Sequence, residues 1–172
     1  ADFQKSQKNE IQSDDKILAL LPGSRKMEVT KILPIMLEAA KKINHIKIVV
    51  AGVSSLPHAY YEDAVKVGCE VIYDNTYQLL TQAHVALVTS GTATLETALF
   101  HVPQIVCYKA NPLTVMIAKA LVKIKFISLV NIIMNKEVVK ELIQQDLHHE
   151  ALVKHLNLLI SGEKRTEMLK DY

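Results

Sequence analysis

Short apolar runs alternate with longer segments of helical spacing from Lys16 onward. The apolar runs predict five strands, at residues 16–21, 47–51, 70–73, 84–89 and 104–107. Several of these runs are continuous rather than alternating, which is typical of strands that helices cover on both faces. The pattern therefore predicts an α/β fold, a doubly wound parallel sheet of the Rossmann-like kind.

The segments between the strands predict helices. They cover 28–43, with a kink at Pro34, 57–67, 76–83, with Thr76 as the cap, and 92–100. After Tyr108 the pattern becomes helical, at 112–123, around 137–143, at 149–160 and at 163–169. Residues 1–15 are polar and are interpreted as a linker or as the boundary of an expressed fragment, and residues 16–172 as one folded domain.

Composition and charge exclude several classes of protein. The chain has 172 residues, which fits one domain, and its 20 basic and 18 acidic side chains leave a net charge of +2. That charge is too small for non-specific nucleic-acid binding, so no nucleic-acid partner is expected. Cys69 and Cys107 form no CxxC pair and signal neither a disulfide framework nor a zinc site, which favours a reducing compartment. The uncharged stretch 75–95 contains too many polar residues for a membrane span.

A first candidate site is the turn Gly23-Ser24-Arg25 after the first strand. The carboxyl ends of parallel strands share one edge, and ligands of such sheets bind there. Gly23 lets the backbone approach a ligand, the amides of Ser24 and Arg25 would face it, and the Arg25 guanidinium suits a phosphate. The alternative is structural: Ser24 caps the following helix and Arg25 pairs with Glu28.

A second candidate site is the turn Ser90-Gly91-Thr92 between the fourth strand and its helix. Helix-start amides lack partners within the helix, so backbone and hydroxyl donors here could bind a diphosphate. Glu96, one turn into the helix, could accept hydrogen bonds from ribose or sugar hydroxyls. The alternative is a simple capping arrangement, with Thr92 at the helix start and Glu96 in solvent.

Other features carry weaker signals. The seven histidines show no metal-ligand spacing, and no nucleophile with an adjacent base is present, so neither a metal nor a cofactor nor a catalytic residue is predicted. Residues 109–140 contain six lysines against one glutamate, interleaved with apolar residues. This segment is consistent either with a basic amphipathic surface for an anionic ligand or membrane, or with lysines that merely solvate one helix face.

The motifs LLPGSR and SGTATLE, together with Ser128-Leu129-Val130-Asn131-Ile132, resemble the C-terminal half of the bacterial lipid-A-disaccharide synthase family over about residues 16–160. The resemblance implies one half of a GT-B type glycosyltransferase, in which two Rossmann-like domains face each other. That family transfers a diacylated glucosamine from a UDP-linked donor to a lipid monosaccharide phosphate. The C-terminal domain holds the donor nucleotide, which makes residues 16–172 a nucleotide-sugar-binding domain.

The resemblance also implies roles for individual residues. The implied donor-binding set is Gly23, Ser24, Arg25, Ser90, Gly91, Thr92, Thr94, Glu96 and Asn131. Arg25 would offset the diphosphate charge, and Glu96 would hold the ribose hydroxyls. Asn131 matches the Asn of the family's SLPN-like stretch. The chain departs from the family pattern at Val130 and Lys140, where proline is usual.

The same resemblance places the catalytic acidic residues in an N-terminal domain outside this chain, so the fragment alone is expected to be inactive. The implied reaction is inverting glycosyl transfer, with UDP as the leaving group and a base from the other domain. The implied location is the cytoplasm, with contact to the anionic inner face of the inner membrane as a further interpretation. Two alternatives stay open: a UDP-N-acetylglucosamine transferase or epimerase of the same superfamily, and a non-enzymatic nucleotide-binding module.

Overall fold

Six parallel strands form the centre of the fold in a computed structural model that describes residues 16–110 and 125–172. The strands are β1 (Ile17–Leu21), β2 (Lys47–Gly52), β3 (Glu70–Tyr73), β4 (Val85–Thr89), β5 (Gln104–Tyr108) and β6 (Lys140–Ile143). Their order across the sheet is β3-β2-β1-β4-β5-β6, and every neighbouring pair is parallel. This is the strand order of a doubly wound sheet, so the predicted fold class is confirmed.

Helices connect and cover these strands. They are α1 (Lys26–Ala40), α2 (Glu62–Lys66), α3 (Thr76–Gln82), α4 (Thr92–Leu99), α5 (Leu129–Met134), α6 (His149–Ile160) and α7 (Glu163–Asp171). Two short 3-10 turns, His58–Tyr61 and Gln144–Asp146, precede α2 and α6. Helix α1 runs through Pro34. Thr76 is the first residue of α3, and Asn75 takes the cap position that was predicted for Thr76.

The sheet is buried on both faces because alternate residues of each strand point to opposite sides. In β1, Leu18 and Leu20 pack in the cluster that contains the buried faces of α1 and α6. Ile17, Ala19 and Leu21 pack in a second cluster with residues of α3. Every residue of β1 is therefore buried, which explains its continuous apolar sequence.

The predicted helix around 137–143 is wrong: its second half is strand β6, which pairs in parallel with β5. The sequence KELI has no strong strand pattern, and tertiary pairing overrides its helical propensity. Helix α5 was also missed, although Ser128 caps it by accepting a hydrogen bond from the Asn131 amide at 3.3 Å. The predicted helix at 112–123 and the predicted linker at 1–15 lie outside the described residues.

Candidate functional site

A cleft of about 440 Å³ lies at the carboxyl ends of the central strands. Strands β1 and β4 are adjacent although they are not consecutive in sequence, so the loops that follow them lead in opposite directions and leave a crevice. Both predicted turns contribute to it. From the candidate set, the lining residues are Gly23, Ser24, Arg25, Ser90, Gly91, Thr92 and Glu96. The structure thus brings together seven residues that the sequence places in two separate motifs.

The turn after β1 is organised by Glu28. The Glu28 carboxylate accepts hydrogen bonds from the backbone N–H groups of Ser24 and Arg25, both at 3.2 Å, and from Arg25 Nη1 at 3.0 Å. Arg25, not Ser24, is the N-cap residue of α1. The predicted pairing of Arg25 with Glu28 is therefore present, and the two amides predicted to face a ligand donate to this carboxylate.

Gly23 is required by this arrangement. Its φ of +99° lies in the left-handed region, which favours glycine. A Cβ atom at this position would overlap Glu28 Oε2 and approach Glu28 Cβ to 2.9 Å. The close packing of Glu28 on Gly23 therefore positions the carboxylate over the two amides.

The turn after β4 is more open. Among the described residues, the N–H groups of Gly91, Thr92 and Ala93 donate to no acceptor outside the regular helix and strand pattern. A Cβ atom added at Gly91 would meet nothing within 4 Å. These three residues line the cleft at the start of α4, where the helix dipole adds positive potential.

Thr94, which the family resemblance places in the donor-binding set, is not among the residues that line the cleft. Its side chain is fully buried, and Oγ1 donates to the Gly91 carbonyl oxygen at 2.8 Å. The backbone oxygen of Thr94 accepts a hydrogen bond from Gln104 Nε2, also at 2.8 Å. The Thr94 side chain therefore fixes the shape of the Gly91 turn.

Asn131, the other member of the implied donor-binding set outside the two turns, is also not among the residues that line the cleft. Its side chain is fully buried, with Oδ1 accepting from the amides of Val138 and Val139, at 2.7 and 2.9 Å. Its Nδ2 donates to the Val139 carbonyl oxygen and to Glu141, both at 2.8 Å. An Asn side chain has two acceptor sites and two donor hydrogens, so none is left for a ligand. Asn131 holds the framework beside the cleft.

Thr89 lines the cleft and was not singled out from the sequence. It is the last residue of β4 and is 5% exposed, and its hydroxyl has no hydrogen-bond partner among the described residues. Most buried hydroxyl groups in proteins are paired. The sequence does contain a signal for Thr89 as a cleft residue: it is a threonine at the end of an apolar strand, directly before the SGT turn.

Tyr61 is a second residue that sequence reasoning missed. It is fully buried, and its hydroxyl oxygen accepts a hydrogen bond from the amide of Val53, which lines the cleft after β2. Burial raises the pKa of the Tyr61 phenol, so it remains neutral at ordinary pH. Tyr61 thereby positions the loop on the third side of the cleft.

The basic segment 109–140 is only partly described. Lys136 pairs with Asp171 at 2.5 Å and Lys140 with Glu137 at 2.9 Å, so these two charges are offset locally. Lys125 is exposed, while the two lysines between 111 and 124 lie outside the described residues. In the part of the chain that the structure covers, no helix is both long and apolar enough to cross a bilayer, and no cluster of metal-ligating side chains occurs.

Comparison with known proteins decides the family. The model of the family described as Lipid-A-disaccharide synthetase matches residues 2–172. The chain belongs to this family. A relative, the lipid-A-disaccharide synthase of Nitrosococcus oceani, is 36% identical to it over 165 residues, which are 91% of this chain and 43% of the relative. The chain thus spans less than half the length of that relative.

Solved structures support the fold of this chain. A Listeria monocytogenes protein proposed to be a UDP-N-acetylglucosamine 2-epimerase superposes with a TM-score of 0.62 at 19% identity, covering 92% of this chain and 40% of the other. The C-terminal CMP-Kdo binding domain of WaaA from Acinetobacter baumannii gives a TM-score of 0.54 at 12% identity, covering 91% and 86%. At these identities the likeness shows the fold alone.

Proposed function

We propose that this chain is the donor-binding half of a lipid-A-disaccharide synthase. The complete enzyme would transfer a diacylated glucosamine from its UDP-linked donor to a lipid monosaccharide phosphate, forming the lipid A disaccharide. The observation that carries the proposal is that the turns after β1 and β4 line one cleft at the point where the strand order reverses. Nucleotides bind at this point in doubly wound sheets.

The donor diphosphate is assigned to the start of α4. The amides of Gly91, Thr92 and Ala93 offer three donors without another acceptor among the described residues, and the Ser90 and Thr92 side chains add hydroxyl groups. The Arg25 guanidinium lines the same cleft, and its side chain is 80% exposed, so it is free to turn toward the phosphates. A guanidinium has five N–H donors, which allows it to bind more than one anion at a time.

The ribose is assigned to Glu96. Its carboxylate is half-buried in the cleft one turn after the phosphate-binding amides. One helical turn rises by about 5.4 Å, which suits the step from a diphosphate to the ribose that carries it. A carboxylate accepts hydrogen bonds from two neighbouring hydroxyl groups, as the 2′ and 3′ positions of ribose provide.

Departure of UDP is the step to which this half would contribute. Negative charge develops on the β-phosphate as the glycosidic bond breaks, and helix-start amides with Arg25 would stabilise it. No residue of the cleft is assigned as the base that activates the acceptor hydroxyl. That group is proposed to come from a second domain facing the cleft.

A donor competition experiment tests this function. The full-length enzyme that contains this domain should bind the UDP-linked diacylated glucosamine more tightly than UDP-N-acetylglucosamine, because the acyl chains add apolar contact area. Equal affinities would favour a UDP-N-acetylglucosamine transferase or epimerase. Turnover by this 172-residue chain alone, without a second domain, would contradict the assignment of the base.

Contact with an anionic membrane is a finer part of the proposal. On the described residues it is supported by the exposed Lys125 and by a run of exposed apolar side chains in α5, where Ile132 is 51%, Ile133 63% and Met134 42% exposed. Apolar and basic groups together are typical of surfaces that bind anionic lipid. Co-sedimentation with vesicles containing anionic lipid, compared with neutral vesicles, tests it: equal binding to both would exclude the electrostatic part.

A further inference from the structure

Glu28 accepts hydrogen bonds from the donors that a diphosphate would seek at the turn after β1. Its Oε2 accepts from the amides of Ser24 and Arg25, and its Oε1 accepts from Arg25 Nη1. All three residues line the cleft. We propose that Glu28 is an internal competitor for the donor diphosphate: its carboxylate holds the Arg25 guanidinium and must release it when the diphosphate binds.

The geometry confines the exchange to the Arg25 side chain. Both amide contacts measure 3.2 Å, and the one from Arg25 belongs to the capping box at the start of α1, which the carboxylate keeps. The Arg25 side chain is 80% exposed, so its bond to Glu28 competes with water at all times. The Glu28 side chain is only 17% exposed, and Gly23 confines it from one side. The mobile partner is therefore Arg25, and the carboxylate stays in the cleft.

The negative charge of Glu28 lowers the affinity of the cleft for an anion in two ways. Glu28 places a negative charge at the same edge of the cleft where the diphosphate is assigned, and like charges at close range repel. At the same time it reduces the positive potential that Arg25 presents to an incoming anion. Both effects weaken the binding of an anion, so removing the charge without removing the acceptor oxygen should strengthen it.

The inference rests on the proposed function for its ligand, and Glu28→Gln is the variant that tests it. Glutamine keeps the length of the side chain and one acceptor oxygen for the amides, but it loses the charge. We expect the affinity for UDP to rise about three- to tenfold. This factor in the binding constant corresponds to the difference in free energy between a hydrogen bond to a charged group and one to a neutral group. Glu38→Gln makes the same charge change on the same helix outside the cleft and should leave the affinity unchanged.

A double-mutant cycle with Arg25→Ala separates competition from positioning. If Glu28 competes, Arg25 contributes more to the affinity for UDP once Glu28 is neutral. Arg25→Ala should then cause a larger loss of UDP affinity in the Glu28→Gln background than in the wild type. If Glu28 instead holds Arg25 in a productive orientation, Glu28→Gln alone lowers the affinity and Arg25→Ala adds little. That second pattern, or no change in either variant, would overturn the inference.

Inorganic pyrophosphate distinguishes failure of this inference from failure of the proposed function. If no variant binds UDP but Glu28→Gln binds pyrophosphate more tightly than the wild type, the competition stands and the nucleotide assignment fails. If neither anion binds any variant, both fail. Should Glu28→Gln not fold, the carboxyl ¹³C resonance of Glu28 in the wild type provides the test: it should shift as pyrophosphate saturates the site, and a constant position would overturn the inference.

Discussion

The Asn131 side chain donates a hydrogen bond to the Glu141 carboxylate across 2.8 Å, and this bond joins helix α5 to strand β6. The same carboxylate accepts from the amides of Ile127 and Ser128, both at 2.9 Å. Ser90 in turn donates its hydroxyl hydrogen to the Ile127 carbonyl oxygen at 3.3 Å. A buried polar network thus connects the edge of the sheet to one of the turns that line the cleft.

Replacing Asn131 with alanine should therefore destabilise the fold. The change removes four hydrogen bonds and leaves the amides of Val138 and Val139 without their acceptor, so we expect a loss of about 2–4 kcal/mol in the free energy of unfolding. Urea denaturation measures it, and the exposed Asn157→Ala in α6 serves as the control. An unchanged unfolding free energy combined with weaker UDP binding would return Asn131 to the ligand site.

Thr89→Val should leave the fold as stable as before or slightly more stable. The Thr89 hydroxyl is buried and has no partner among the described residues, so we expect its removal to cost no hydrogen bond and to relieve desolvation. Thr97→Val is the matched control, because Thr97 is also buried and its hydroxyl donates to the Ala93 carbonyl oxygen at 2.7 Å. We expect the control to lose about 1 kcal/mol by the same denaturation measurement. A comparable loss at Thr89 would mean that its hydroxyl has a partner.

Glu96 should distinguish UDP from its 2′-deoxy counterpart. A carboxylate that accepts from the ribose hydroxyls is left partly unpaired when one of them is absent, and sites built in this way reject such analogues. Glu96→Gln keeps one acceptor oxygen and should lose part of the preference, and Glu96→Ala should lose nearly all of it. Isothermal titration of the three proteins measures this. Indistinguishable dissociation constants for the two nucleotides in the wild type would remove Glu96 from the site.

The fold and half of the residues that line the cleft were accessible from the sequence because their signals are local. Continuous apolar strands predicted the sheet, and the glycine turns at their ends predicted seven residues that line the cleft. The features that the sequence did not reveal, strand β6 and the burial of Asn131, depend on contacts between distant segments. Strand β6 forms because β5 pairs with it, and Asn131 is buried because residues 138–141 fold back onto it. The motif match alone could not separate a framework residue from a ligand contact.

Acidic pH should weaken the fold through His84. Its Nε2 lies 2.7 Å from the Ile160 carbonyl oxygen, and burial lowers the pKa of its ring below the ordinary value of 6.5, with the nearby Arg165 acting in the same direction. The unfolded chain therefore binds this proton more readily than the folded chain. The contribution of His84 to the free energy of unfolding should be constant above about pH 7 and should fall as the pH drops through about 6.5.

Burial also lowers the pKa of His155, so it contributes in the same direction. His84→Asn should reduce the pH dependence of stability between about pH 7 and 5 without abolishing it, because His155 remains. Urea titrations at a series of pH values measure the slope, and the exposed His45→Asn is the control. An identical slope in wild type and His84→Asn would show that His84 does not carry the effect.

The central claim is that the turns after β1 and β4 form one site for the nucleotide diphosphate. Titration of ¹⁵N-labelled chain with UDP, followed by amide chemical shifts, tests it most directly. The claim predicts that the amides of Gly91, Thr92 and Ala93 and those of Ser24 and Arg25 shift together and saturate with one dissociation constant. Shifts confined to another part of the chain, such as the groove lined by His155 and Lys164, would contradict it.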